Sequence, residues 1–363
     1  MTRPGSKQIA VAMLAAFTAL SLGGCKKKDE PAGGGGSAGA GTPAAGAKVT
    51  LNASGATFQK AAQEIAIEAF AKVNKHITVN YAAGGSGKGR KEFADQVVDY
   101  ACTDAPFKPA EAAAAKGGAF YYIPTVLAAI TVSYNLSGVD KLQLSPETIA
   151  KIFQREIKRW DDPAIAADNP DAKLPGTEIV VARRSDGSGT TENFTKYLHD
   201  ATGGVWKLKS GSTVEWPGDT QAGNGNNGVA GIVKKTSGAI GYVDLSDAVE
   251  QKLRYAAVKN QAGKYVLPDA ASVTAAADGI TVDDKLLFSA LNAKGDAAYP
   301  ITAQSWCIVY AKQTDPAKGN ALKAWFKFLL TDGQGLLPEI HFAPIPRSLQ
   351  DKALAQVERI QVP

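Results

Sequence analysis

Three times this chain leaves a short β-branched run through small Gly, Ser and Thr residues and enters a helical pattern. The run VTLN at Val49 leads into SGATF (residues 54–58), ITVNY at Ile77 leads into GGSGKG (84–89), and IVV at Ile179 leads into RRSDGSGTTENF (183–194). A strand that hands over to a helix reaches its parallel neighbour across a covering layer rather than through a hairpin. Further strand runs sit at Val98 (VDYACTD), Thr125 (TVLAAITVSYN), Ala239 (AIGYVDL) and Trp306 (WCIVYA), and helical patterns cover 59–73, 145–157, 190–201 and 320–330. The spacing predicts an α/β fold of mostly parallel sheet flanked by helices. Two stretches read as loop insertions: 160–176, rich in Asp, Asn and Pro, and GDTQAGNGNNG from Gly218, made of turn formers.

At 363 residues the chain has room for two lobes with cores of their own. The formal charge of +5 falls to +3 without Arg3 and Lys7, an excess that suits an anionic ligand and is too small and scattered for nucleic acid. Those two cations precede an apolar run over 9–22, too short for an ordinary membrane span, so residues 1–24 read as an export signal. The run ends in LGGC (22–25), which resembles the bacterial lipobox and marks Cys25 for lipidation. A membrane contact through that lipid alone is then expected, in the periplasm or cell envelope. Residues 25–47 hold no aromatic or branched aliphatic side chain and read as a tether. Cys102 and Cys307 lie in apolar strand-like runs; in an exported chain they could pair, or remain buried thiols.

The three loops place unpaired N–H groups and positive dipole ends outside the carboxyl ends of strands, where α/β sheets present ligands. Any one of them alone is better explained as helix capping. Together they point to one anion site. The second loop imitates a P-loop but lacks it at two fixed points, with Ala82 for the first Gly and Gly89 for the metal-binding hydroxyl. Arg184 ends a strand, where its fork matches a tetrahedral oxyanion, and Asp186 is spaced to orient it. Asp104 also ends a strand; an acid suits an anion site only when the ligand carries a proton it can accept.

Beyond these residues, GATF, GGSG, CTDAPF, IPTV, EIKRWDDPAI, VVARRSDGSGTTENFTKYL, GSTVEWP, GAIGYVDL and YPIT run through most of the body. This set resembles the periplasmic phosphate-binding proteins of the high-affinity bacterial phosphate ABC transporter. The resemblance implies a two-lobed, type II-like periplasmic-binding-protein fold that closes on its ligand, with 48–127 and 301–363 in lobe one and 128–300 in lobe two. It implies phosphate ligands at Thr57, Phe58 (through its backbone N–H), Ser86, Asp104, Arg184, Ser188, Gly189 and Thr190, with Asp186 supporting the Arg. Implied too are a monomer without cofactor or metal and delivery of phosphate to a permease and its ATPase subunits. Lys88, Arg90, the long tether and the two body cysteines depart from the family pattern.

Enzyme classes fit less well. The nucleophile elbow G-x-S-x-G fails because Asp186 stands two residues before Ser188, and His76, His199 and His341 stand alone without a metal-ligand spacing. A non-catalytic binder of phosphate is expected. A binder of another tetrahedral oxyanion such as sulfate is the near alternative, and a secreted phosphomonoesterase the more distant one.

Overall fold

The computed structural model describes residues 48–363; the signal over 1–24, Cys25 and the tether over 25–47 lie outside the described residues. The strands are β1 (Val49–Gly55), β2 (Ile77–Ala83), β3 (Tyr100–Thr103), β4 (Phe120–Tyr134), β5 (Gln143–Leu144), β6 (Val180–Arg184), β7 (Gln221–Gly223), β8 (Ala239–Asp244), β9 (Arg254–Tyr255), β10 (Ala257–Lys259), β11 (Tyr265–Val266) and β12 (Thr302–Tyr310). They form one continuous sheet in the order β2-β1-β3-β12-β4-β8-β6-β7, with β9 added to β4, and a small sheet β11-β10-β5.

Parallel pairing holds at both ends of the large sheet, between β1 and its neighbours β2 and β3, and between β6 and its neighbours β7 and β8. The middle is antiparallel, because β12 returns between β3 and β4. Strand β4 joins the two ends. Its first part, to Ala129, pairs with β12, and Ile130 to Tyr134 pairs with β8. It is buried from Tyr122 onward, as a near-continuous apolar run covered on both faces must be.

Helices cover each end. Against β2 and β1, the helices Lys60–Val73 and Pro316–Leu330 meet through Phe70, edge-on to Trp325 at 5.0 Å. At the other end, Phe194 of the helix Gly189–Ala201 stacks on Tyr242 of β8 at 4.4 Å and meets Phe153 of the helix Pro146–Phe153 at 4.8 Å. These aromatic contacts are worth about 0.5–1.5 kcal/mol each beyond their buried area, and they fix where the helix beginning at Gly189 meets the end of β6.

Three sequence expectations shift. The helix expected over 145–157 stops at Phe153, because Arg155 takes a left-handed backbone (φ 65°) and turns inward to donate from Nη1 to the Ile179 carbonyl at 2.7 Å. The stretch 160–176 contains a helix, Pro163–Asp168, capped by Asp162, and its Trp160 is fully buried and donates to the Gly238 carbonyl. The segment from Gly218 is not a plain loop. It holds β7 and the start of the helix Gly225–Lys235, which packs on β8 and β6 through Val229, Ala230 and Val233.

Candidate functional site

Backbone hydrogen bonds align the first two loops before any side chain is considered. The N–H groups of Gly84 and Gly85 both donate to the Gly55 carbonyl, at 2.9 and 2.8 Å, and Ala56 N–H donates to the Cys102 carbonyl at 2.9 Å. The ends of β1, β2 and β3 are thereby drawn to one point. Thr57 opens the short 3-10 turn Thr57–Gln59, half-buried, and Phe58 behind it is buried edge-on to Phe342 at 5.7 Å. Ser86 is the first residue of the helix Ser86–Ala94, and Asp104 follows β3; both are 1% exposed. Ser86 Oγ lies 3.2 Å from both Asp104 Oδ2 and Asp104 N.

The second wall comes from the end of β6. Arg184 is the last residue of that strand, and Asp186 grips its guanidinium on two sides: Nε donates to Oδ1 at 2.8 Å and Nη2 to Oδ2. Asp186 is itself held by Gly225 N–H at 3.0 Å. Ser188 caps the helix Gly189–Ala201 by accepting from Thr191 N–H at 3.1 Å, which leaves its own hydroxyl proton to donate elsewhere. Gly189 and Thr190 occupy the first turn, where helical N–H groups have no intrahelical partner.

The two walls touch. Gly87 N–H donates to the Gly187 carbonyl at 2.9 Å, and Asn193 Nδ2 donates to the Asp104 carbonyl at 2.7 Å. Asn226 N–H approaches Thr57 Oγ1 at 3.4 Å. Gly189 lies so close to the first wall that a Cβ there would stand 2.5 Å from Ser86 Oγ and 2.7 Å from Asp104 Cβ. Thr57, Phe58, Ser86 and Asp104 thus meet Arg184, Ser188, Gly189 and Thr190 around one closed point, with Asp186 bracing the Arg from behind. The arrangement offers hydroxyls, first-turn N–H groups and one guanidinium, together with one carboxylate. That is a donor-rich cage with a single group, the carboxylate, that can only accept when ionised.

Residues 40–333 match the family model of the PBP superfamily domain. A phosphate-binding protein PstS of Xylella fastidiosa is 37% identical over 277 residues, covering 75% of each chain, and PstS3 of Mycobacterium bovis is 36% identical over 363 residues, covering 97% of this chain and 98% of that one. The chain belongs to the PstS family of phosphate-binding proteins. PstS of Methanocaldococcus jannaschii is 37% identical over 320 residues, 82% of this chain and 81% of its own. Among solved structures, a high-affinity periplasmic phosphate-binding protein (PfluDING) bound with phosphate superposes with a TM-score of 0.71 at 21% identity, over 84% of this chain and 93% of that one. The phosphate-binding protein of Stenotrophomonas maltophilia gives 0.66 at 18% identity with the same coverage. Both share the two-lobed fold.

Electrostatics in this PstS-family site set the two acids apart. Burial pushes Asp104 up to about 7, against the pull of hydrogen bonds from Ser305 and Ser86 and of the Arg184 charge. Burial acts on Asp186 in the same direction, but the hydrogen bonds and charge of Arg184 outweigh it and hold that carboxyl below its ordinary value. Asp186 is therefore a fixed counter-charge, whereas Asp104 sits at the edge of holding a proton near neutral pH.

Sequence reasoning missed three residues here. Asn226, fully buried, accepts from Arg184 Nη1 at 2.6 Å and donates to Asp244 at 2.7 Å, so the guanidinium is clamped on a third side. Ser305 on β12 donates to Asp104 Oδ1 at 2.6 Å, and Asn193 bridges the walls through Asp104 and Gln304. Asn226 was hidden in a run of turn formers, Ser305 in an apolar strand far along the chain. Of the two cations in the loop after Ser86, Lys88 is exposed and lies 3.6 Å from Glu92. Arg90 is buried, donating to Thr103 Oγ1 at 3.1 Å and lying 3.3 Å from Glu111, so it braces the turn that presents Asp104.

Proposed function

We propose that this chain captures inorganic phosphate in the cell envelope through Thr57, Phe58 N–H, Ser86, Asp104, Arg184, Ser188, Gly189 and Thr190, and releases it unchanged to an ABC permease driven by its ATPase subunits. On this reading it works as a monomer, tethered by a lipid on Cys25. Lobe one is formed by 48–127 with 301–363, and lobe two by 128–300.

One observation carries the choice of ligand: a buried carboxyl, Asp104, held by Ser305 and Ser86 and feeling the Arg184 charge, sits among donors at the meeting point of the loops. Phosphate at neutral pH keeps an O–H that donates a hydrogen bond to ionised Asp104, while sulfate brings only acceptors, and a site that must leave a buried group unmatched rejects such an analogue by roughly 10⁴-fold. The non-catalytic reading is supported by Ser188, whose Oγ serves as a helix cap and has no histidine or other base hydrogen-bonded to it among the described residues.

Equilibrium dialysis with radiolabelled phosphate, run beside a p-nitrophenyl phosphate assay with and without divalent metal, tests this. Retained label recovered intact as inorganic phosphate, with no release of nitrophenol above buffer, is the expected result. Turnover, or failure to retain phosphate, would refute it.

A further inference from the structure

Outside the site, the sharpest unassigned chemistry is a pair of thiols in the middle of the sheet. Cys102 on β3 and Cys307 on β12 are directly opposite in antiparallel register, both fully buried, with their sulfurs 3.3 Å apart as free cysteines. Opposed residues in an antiparallel ladder have Cα atoms roughly 4.5–5.5 Å apart, inside the span of about 4.4–6.8 Å that a disulfide bridges without moving the backbone. We propose that Cys102 and Cys307 are an oxidation site, joined in the exported protein by a disulfide that staples β3 to β12 directly behind Asp104.

The surroundings accept the bond without loss. Gln63 Nε2 donates to the Cys307 sulfur at 3.7 Å, and a disulfide sulfur keeps that acceptor role. The Cys307 S–H points to Gln59 Oε1 only at 4.0 Å, and that oxygen retains the Gln63 Nε2 donor at 3.0 Å once the thiol proton is gone. Gln63 Oε1 stays paired with the Tyr100 hydroxyl at 2.8 Å. Oxidation therefore orphans no buried polar group, whereas an apolar pair at this place would leave Gln63 short of one acceptor.

The oxidant is a disulfide-bearing thiol oxidase of the export compartment, or oxidised glutathione in vitro. The thiolate of one cysteine attacks the oxidant's disulfide, forming a mixed disulfide and expelling one oxidant thiolate. The second cysteine, having lost its proton, attacks the sulfur of the first and expels the oxidant's other sulfur, so the S–S bond closes and the oxidant's two sulfurs end as thiols carrying both electrons. Because both sulfurs are buried in the folded sheet, exchange takes place while β12 is docking on β3, and the finished bond is then out of reach of reductant. The link joins positions 205 apart in sequence, a long loop whose closure restrains the unfolded chain strongly.

The test is differential alkylation of the full chain purified from the envelope of cells that export it. Thiols are blocked in denaturant with one isotope of an alkylating reagent, then reduced and labelled with a second isotope, and the peptides bearing Cys102 and Cys307 are read by mass spectrometry. Both residues are expected to carry only the second label. First label on both would overturn the proposal. Protein refolded with oxidised glutathione should melt about 5 °C or more above the same protein refolded and held in reductant. Equal melting temperatures would contradict the staple, and phosphate affinity should agree within about twofold between the two forms.

Discussion

Arg184 brings a full positive charge to the meeting point of the loops, and the protein spends Asp186 and Asn226 on holding it still. Clamped on three sides, its remaining N–H groups are aimed before the ligand arrives, so little side-chain entropy is left to lose on binding. Arg184→Ala should weaken phosphate binding by about 2–5 kcal/mol in a calorimetric titration, the range for removing one partner of a buried charged pair; an affinity within twofold of the parent would remove Arg184 from the site. Asn226→Ala should weaken phosphate binding by about 1.5–3 kcal/mol, since it deletes the hydrogen bond that steadies the guanidinium while leaving the charge in place, and it also removes a donor to the buried Asp244. Asp104 makes a different, pH-dependent prediction. Its carboxyl is pushed up to about 7 in the folded protein, against about 3.9 in an unfolded chain, so between those values the folded state holds more protons. Stability of the ligand-free protein should therefore fall as pH rises through that window, with the full cost of burying the charge present above it. Asp104→Asn removes the cost. Melted without phosphate, the variant should exceed the parent by roughly 3–8 °C at pH 8 and by much less at pH 4. A gap that did not change with pH would mean that Asp104 is not buried as a charge.

At the scale of elements, the site depends on how closely two helix starts approach. Gly189 opens the helix Gly189–Ala201 directly against Ser86 and Asp104, and any side chain there occupies the space of the opposite wall. A side chain there must push the walls apart, so Gly189→Ala should weaken phosphate binding at least tenfold in a calorimetric titration. Unchanged affinity would show that the walls need not meet. The same elements explain what could be read in advance. Strand-to-helix loops at Ser54, Gly84 and Arg183 were legible because small residues after a β-branched run mark a strand end whatever packs around it. The segment 221–235 was not. Its Gly and Asn residues look like turn formers, yet Gly223 and Gly228 lie so close that a Cβ on the first would stand 2.5 Å from the carbonyl carbon of the second, so the glycines serve strand-to-helix contact. Asn226 was lost with that misreading. Ser305 was illegible for another reason: its partner Asp104 lies 201 positions away, and nothing local distinguishes a hydroxyl that faces a site from one that pairs within a sheet. The antiparallel centre of the sheet was equally hidden, because the return of β12 between β3 and β4 is a matter of topology rather than of local pattern.

At the scale of the whole molecule, the structure is a closed clamp whose walls are bridged by Gly87 to Gly187, Asn193 to Asp104 and Gln304 to Asn193. On the proposed division the chain passes between lobes near 127–128 and 300–301, in the middle of β4 and at the approach to β12, so opening would bend the chain there. A permease that recognises the closed form would then read the presence of ligand. The central claim is that closure is built around a protonated tetrahedral anion held between Arg184 and Asp104. The most direct measurement is a calorimetric titration of residues 48–363 with phosphate, first alone and then in a large molar excess of sulfate, repeated on Asp104→Asn. The account predicts tight, one-to-one phosphate binding that sulfate barely disturbs in the parent, and a variant in which sulfate competes. A parent that binds sulfate as well as phosphate, or a variant with unchanged selectivity, would contradict it.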